Sequence, residues 1–195
     1  MILYTTLISS EELAALLADD TSRTVVFDCR FDLANPDKGR SQYAAGHLPG
    51  ALYADLNRDL SAPHVPGKTG RHPLPAAEEV AAWLSASGVE NGTQVIAYDA
   101  SGGSYAARLW WLLRWLGHDA VAVLDGGWGA WTAEDRETDS ALPVVTPGVF
   151  HANPRPQMVA SAEEVAEAVA SGSHTLLDAR AADRFRGENE TIDPV

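Results

Sequence analysis

An apolar run ends at Tyr98, a helical pattern begins at Tyr105, and between them lies Asp99-Ala100-Ser101-Gly102-Gly103-Ser104. A glycine-containing turn that joins a buried strand to a helix lets successive backbone N–H groups converge on one point. The positive end of the helix dipole stands behind them. Such a nest lowers the pKa of a thiol at its first position and holds the resulting thiolate. Here the first position is Asp99. A carboxylate accepts hydrogen bonds and repels anions, but it cannot store or transfer a sulfur atom. The loop has the form of a nucleophile site without the nucleophile.

Other reactive groups fit less well. Gly102-Gly103-Ser104-Tyr105-Ala106 approximates the G-x-S-x-G elbow that presents a serine nucleophile, with Ala in the last place. Residues Asp99 to Ser101 intervene between strand and motif, and little chain follows to supply an acid and a histidine. Cys29 is the one thiol of the chain. It follows Asp28 directly at a strand end, with no glycine loop after it, and an adjacent carboxylate raises a thiol's pKa. A packing role suits it. The six histidines, His47, His64, His72, His118, His151 and His174, show no metal-type spacing, so neither metal nor cofactor is expected.

The elements that position the loop can be read from hydrophobic periodicity. Val25-Val26-Phe27, Val95-Ile96-Ala97-Tyr98 and Val121-Ala122-Val123-Leu124 read as short buried strands. A helix is predicted from about Pro75 to Ser87, and another from Tyr105 to Leu116 with Gly117 as its stop. Short apolar strands alternating with helices predict an α/β fold, a parallel sheet with helices on both faces. Such sheets present their chemistry at the carboxyl ends of the strands, in the loops after Phe27 and Tyr98.

The chain also repeats itself. Ser9-Ser10-Glu11-Glu12-Leu13 and Ser161-Ala162-Glu163-Glu164-Val165 each carry the S-x-x-E capping box that opens a helix. Each is followed by an apolar run ending in Asp-x-Arg, Asp28-Cys29-Arg30 first and Asp178-Ala179-Arg180 second. From Leu142 to Met158 the chain is proline-rich, with Pro143, Pro147, Pro154 and Pro156, which predicts an extended linker. The expected organisation is therefore a complete unit over 1–142, a linker over 143–158 and the incomplete start of a second copy over 159–195. Pieces below roughly 40 residues seldom bury enough surface to fold alone.

Composition excludes several classes of partner. The net charge of −13, with fourteen Lys and Arg in no run, disfavours nucleic acid and anionic membrane. The N-terminal stretch lacks the basic region of an export signal, and no apolar span reaches membrane length. A single cysteine gives no internal disulfide. A cytoplasmic protein is expected.

The pieces gain specificity in combination. Asp28-x-Arg30, then Gly46-His47-Leu48-Pro49-Gly50-Ala51, then the loop from Asp99, then Leu124-Asp125-Gly126-Gly127-Trp128-x-x-Trp131 follow in an order and spacing that resembles the rhodanese family. The likeness is to its two-domain sulfurtransferases and extends over essentially the whole chain. It implies a rhodanese-like first domain that is an inactive copy, with Asp99 at the cysteine position. It also implies a second domain whose cysteine lies as far beyond Asp178 as Asp99 lies beyond Asp28, which is past Val195. The implied activity moves sulfane sulfur from a small anionic donor, thiosulfate or 3-mercaptopyruvate, to cyanide or a thiol through a cysteine persulfide, with no cofactor. Arg184, in Asp178-Ala179-Arg180-Ala181-Ala182-Asp183-Arg184-Phe185, matches the arginine that contacts the donor. A guanidinium fork suits the paired oxygens of a sulfonate or carboxylate. Phe31 matches a position where the family often has an aromatic facing the cleft, Tyr105 just after the loop is a second candidate for that lining, and simple packing is the alternative for both. On this reading the chain alone is inactive. Two alternatives stay open, a non-catalytic binding or regulatory module and a serine hydrolase using Ser104.

Overall fold

The computed structural model describes residues 3–19 and 21–189. They form two compact units, Met1–Pro156 and Gln157–Val195. In the first, five strands make one parallel sheet: β1 (Leu7–Ile8), β2 (Thr24–Asp28), β3 (Leu52–Tyr53), β4 (Gln94–Tyr98) and β5 (Val121–Leu124), in the order β1-β5-β4-β2-β3. Five helices connect them: α1 (Ser10–Leu17), α2 (Asp37–Ala45), α3 (Ala77–Ala86), α4 (Ala106–Trp115) and α5 (Gly127–Ala133). The fold is α/β, a parallel sheet flanked by helices, as the strand and helix alternation requires.

The central strands are apolar on both faces, the pattern of a doubly covered parallel sheet. Val26, Ile96, Tyr98, Ala122 and Leu124 join Ile8, Leu13, Leu48, Ala51 and Trp131 in one core cluster. Alternate residues Phe27, Val95 and Ala97 are equally buried and point to the other face, where Phe27 meets Trp83 of α3 with ring centroids 5.0 Å apart. The edge strands β1 and β3 have two residues each, which leaves little ladder for a foreign strand to extend.

Two helices have weak sequence signals. α2 buries only Gly39 and Tyr43 and is mostly polar, so no apolar stripe announces it. It lies so close to the segment leaving β2 that a Cβ on Gly39 would sit 1.9 Å from the Arg30 carbonyl oxygen. α5 begins with the glycines of the Gly-Gly-Trp motif, residues that ordinarily read as a turn.

No described residue from 143 to 155 falls in a helix or strand, yet the segment is bound to the first unit. Gly148 N–H donates to the Ser85 carbonyl (2.8 Å), Asn153 N–H to Leu116 (2.8 Å) and Arg155 N–H to Trp115 (2.8 Å). The compact unit therefore runs to Pro156.

The second unit holds α6 (Ala162–Ser171) and α7 (Ala182–Phe185), with a 3-10 turn over Pro156–Met158 at the division. Both capping boxes form: Ser9 with Glu12 ahead of α1, and Ser161 with Glu164 ahead of α6. The stretch matching β2 does not become a strand, and Leu176 and Leu177 are 67% and 85% exposed. A strand needs a neighbour for its backbone groups, and the described residues of this unit offer none. Among the described residues, no helix is long and apolar enough to cross a membrane.

Candidate active site

β2 and β4 lie side by side in register, Asp28 opposite Tyr98, so their carboxyl ends deliver the two loops of interest to one place. Asp28 is fully buried and Arg30 3% exposed. The Arg30 backbone N–H donates to Asp28 Oδ1 (2.9 Å), its Nε bridges both carboxylate oxygens (3.0 and 2.9 Å), and Nη2 reaches Oδ2 (2.5 Å). The Tyr98 hydroxyl donates to the same Oδ2 (2.7 Å) and accepts from the Leu48 N–H (3.2 Å). Burial, and then the Asp28 charge, drive the Tyr98 hydroxyl far above the ordinary tyrosine range, so it stays a donor. Arg30 also donates to the Gly46 carbonyl (2.6 Å) and lies 4.2 Å from the centre of the Trp128 ring. The guanidinium is thus shared among a carboxylate, a carbonyl and a π face, the kind of full satisfaction a buried charge requires.

This network draws three of the sequence motifs together, and it is structural. Tyr98 and Trp128 hold it, yet neither stands out in sequence as a partner of Asp28 and Arg30. The one available signal is a tyrosine closing an otherwise aliphatic strand. His47 completes the same corner, stacked on Tyr43 at 4.1 Å between ring centroids, with Nδ1 2.8 Å from the Tyr43 carbonyl.

One turn further on, the nest forms. Asp99 is 1% exposed, and its carboxylate fills the loop from inside. Oδ1 accepts from the N–H groups of Ser101 (2.7 Å) and Gly103 (2.9 Å). Oδ2 accepts from Tyr105 (2.7 Å) and Ala106 (2.9 Å), at the start of α4. Four convergent donors meet one carboxylate, so the anion the cradle is shaped for is already in place. Gly102 and Gly103 have φ of +68° and +86°, the left-handed conformations this curl of chain needs. The Asp99 carbonyl accepts from the Trp128 N–H (2.8 Å). Gly127 permits this approach, because a Cβ there would stand 2.2 Å from the Asp99 oxygen.

The remaining candidates fall as follows. Phe31 and Tyr105 meet edge to face, centroids 5.6 Å apart, and Phe31 also contacts His72. Phe31, Leu33, Ser61, His64, Arg71 and His72 border a cavity of about 280 Å³ beside the loop after β2. Ser104 is exposed and donates to the Ser101 carbonyl (2.8 Å), the bond of a turn residue and not of an activated nucleophile. Cys29 is 1% exposed, and burial followed by the charges of Asp28, Asp99 and Asp59 pushes its thiol well above the ordinary value. Among the described residues, no group of histidine, cysteine and acidic side chains could hold a metal ion.

Arg108 escaped the sequence reading. It stands on α4 among apolar neighbours and directs its guanidinium to the carbonyls of Leu60 (3.2 Å), Pro73 (3.1 Å) and His72 (3.4 Å). It thereby ties the long loop after β3 to the helix that begins at the nest.

In the second unit, Arg184 lies on α7, half-buried, its backbone N–H bonded to Asp183 Oδ1 (2.9 Å). Asp178 and Arg180 repeat the earlier chelate: Arg180 N–H to Oδ1 (2.8 Å), Nε to both oxygens (3.0 and 3.0 Å) and Nη2 to Oδ2 (2.7 Å). The hydrogen bonds from Arg180 lower the Asp178 carboxyl to about 2.

Comparison with known proteins agrees with this geometry. A family profile described as "Rhodanese-like domain" matches residues 9–134. The chain is 45% identical over 190 residues to a Pseudomonas aeruginosa protein named "Probable 3-mercaptopyruvate sulfurtransferase", covering 97% of this chain and 66% of that one. It is 35% identical over 152 residues to human 3-mercaptopyruvate sulfurtransferase, covering 76% and 49%. It is 30% identical over 200 residues to thiosulfate sulfurtransferase of Cricetulus griseus, covering 100% and 65%. The chain thus spans no more than 66% of the length of these curated relatives. Among solved structures, SseA from Escherichia coli, titled a 3-mercaptopyruvate sulfotransferase, superposes with a TM-score of 0.82 at 28% identity, covering 97% of this chain and 71% of that one. Parallel sheet, glycine-lined nest at the end of β4 and profile match lead to one conclusion: the chain belongs to the rhodanese-like domain family.

Proposed function

We propose that this chain is the non-nucleophilic part of a sulfurtransferase that moves sulfane sulfur from thiosulfate or 3-mercaptopyruvate to cyanide or a thiol. The observation that carries the reading is the Asp99 carboxylate, which takes all four N–H donors of the nest. A loop so filled has no thiolate to accept sulfur, and its four convergent N–H donors are already taken by a carboxylate. The buried Cys29, with its raised pKa, offers no substitute. The nucleophile therefore belongs to a second unit whose first elements are α6 and α7, its cysteine lying outside these 195 residues.

In that reading, a cysteine thiolate attacks the outer sulfur of the donor. With thiosulfate the S–S bond breaks and sulfite leaves with the electron pair; with 3-mercaptopyruvate the C–S bond breaks and pyruvate leaves as its enolate, which takes up a proton. Cyanide or a thiolate then attacks the persulfide's outer sulfur, and the enzyme thiolate departs unchanged. This is covalent catalysis in two displacements. Arg184 holds the donor's anionic end through its guanidinium fork. The names of the Pseudomonas, human and hamster relatives support this class of reaction.

The test is cyanide-dependent thiocyanate formation with either donor. This chain is expected to give only background, unchanged by Cys29→Ser. A protein extended to the length of the relatives is expected to turn over, and to lose its rate with Arg184→Ala. Full-rate turnover by the chain itself would overthrow the proposal.

A further inference from the structure

The segment 143–155 is fastened to the first unit more thoroughly than a connector needs. Besides the three backbone bonds already described, Phe150 N–H donates to Ser85 Oγ (3.0 Å). Asn91 exchanges a pair of bonds with the His151 backbone, 2.9 Å each. Glycines permit close approach on both sides. A Cβ on Gly117 would meet the Asn153 carbonyl at 2.7 Å, and one on Gly148 would meet the Val89 carbonyl at 2.9 Å. At the far end, Arg155 forks onto Asp119 with 2.8 and 2.7 Å bonds. Under the middle of this strap lies His118, 2% exposed, with Phe150 packed edge-on to its ring at 5.6 Å. His118 Nε2 is buried without a hydrogen-bond partner.

We infer that the strap is a proton-released latch: when His118 takes up a second ring proton, Gly148–Asn153 lifts away while Arg155 stays clamped. A neutral imidazole tolerates an unbonded acceptor nitrogen. An imidazolium instead puts a charged N–H at Nε2, which has no hydrogen-bond partner, and burying that charge costs more than the nearby carbonyls return. Phe150, packed on the ring, brings no acceptor to it.

The charges and dipoles around the ring set the balance. Asp119 and the carbonyls of Thr93 and Ala120 favour the proton, while burial opposes it and outweighs them, so the ring's pKa falls below the ordinary 6.5. Asp119 is a weak counter-ion because its carboxylate already serves Arg155, with Arg114 at 3.6 Å. Those same bonds hold Asp119 below its ordinary 3.8, so the clamp at Arg155 stays charged where His118 titrates. The open form binds the proton more readily than the latched form. Latching is therefore complete above about pH 6.5 and weakens as pH falls below it.

The test is amide hydrogen exchange, expressed as protection relative to the unstructured chain so that intrinsic pH effects cancel. Between pH 7.5 and 5, protection of residues 148–153 is expected to fall by up to about tenfold per pH unit below 6.5, while β4 keeps its protection. His118→Gln should remove that slope, and His151→Asn, which removes the strap's own exposed histidine, should preserve it. An unchanged slope in His118→Gln overturns the inference. If His118→Gln does not fold, Phe150→Ala decides by NMR titration of the His118 ring. Return of the ring toward 6.5 supports the latch, and a ring that still titrates low overturns it.

Discussion

Replacing Asp99 by alanine removes the charge around which the loop from Ser101 to Ala106 is wound. Four N–H groups lose an ionised acceptor at 2.7–2.9 Å. Hydrogen bonds to a charged group contribute roughly 1.5–3 kcal/mol each, so the nominal loss is large, but part returns as the freed donors meet water. Ser101 and Ser104 flank solvent, and their side of the loop rehydrates readily, whereas Ala106 is buried and its N–H does not. A net destabilisation of about 3–5 kcal/mol is expected. For a chain of this size that is a fall in Tm of about 6–20 °C. Urea denaturation followed by tryptophan fluorescence measures it directly. The same variant leaves a carboxylate-sized gap lined by donors, so acetate or formate should refill it. At ten times its Kd, a bound anion restores about 1.4 kcal/mol in Asp99→Ala and nothing in the parent. A loss below 1 kcal/mol, or equal anion effects on both proteins, would refute the view that the nest is occupied by its own side chain.

Three further outcomes follow from the same geometry. Cys29 should resist a thiol reagent in the native protein from pH 7 to 9, because burial and three nearby carboxylates keep it protonated, and should react fully in denaturant; rapid native labelling contradicts this. Asp28→Asn leaves Arg30 buried without a counter-charge and is expected to cost about 3–5 kcal/mol in urea unfolding, whereas an effect near zero would show that Tyr98, Gly46 and Trp128 satisfy the guanidinium alone. Gly127→Ala forces a methyl to 2.2 Å from the Asp99 carbonyl at a φ of +55°, so poor expression or a Tm loss larger than that of Gly129→Ala, where the space is open, is expected.

The sequence spoke most clearly where a residue's neighbours lie close along the chain or where burial is two-sided. Val95 to Tyr98 and Val121 to Leu124 read as strands because a doubly covered sheet tolerates no polar residue there. The nest was legible because its donors and acceptor sit within eight consecutive residues, Asp99 to Ala106. What stayed hidden depends on contacts distant in sequence. Nothing near Arg30 announces Trp128 as its stacking partner, and nothing near Arg108 announces the carbonyls of Leu60 and Pro73. α2 was missed because a helix held by one glycine contact and one tyrosine leaves no periodic stripe. The proline-rich segment read as a connector by composition, while its bonds to Ser85, Asn91 and Leu116 belong to residues far upstream.

The Asp-x-Arg chelate occurs twice with nearly identical bond lengths, once sealed inside a sheet and once on an open surface. The bonds that write it join residues two positions apart in both settings. Because its partners stand two positions apart, the clasp ties the Arg30 backbone back to Asp28 where the chain leaves β2. A carboxylate so balanced by its own neighbour spares the sheet the burial of a naked charge beneath Tyr98.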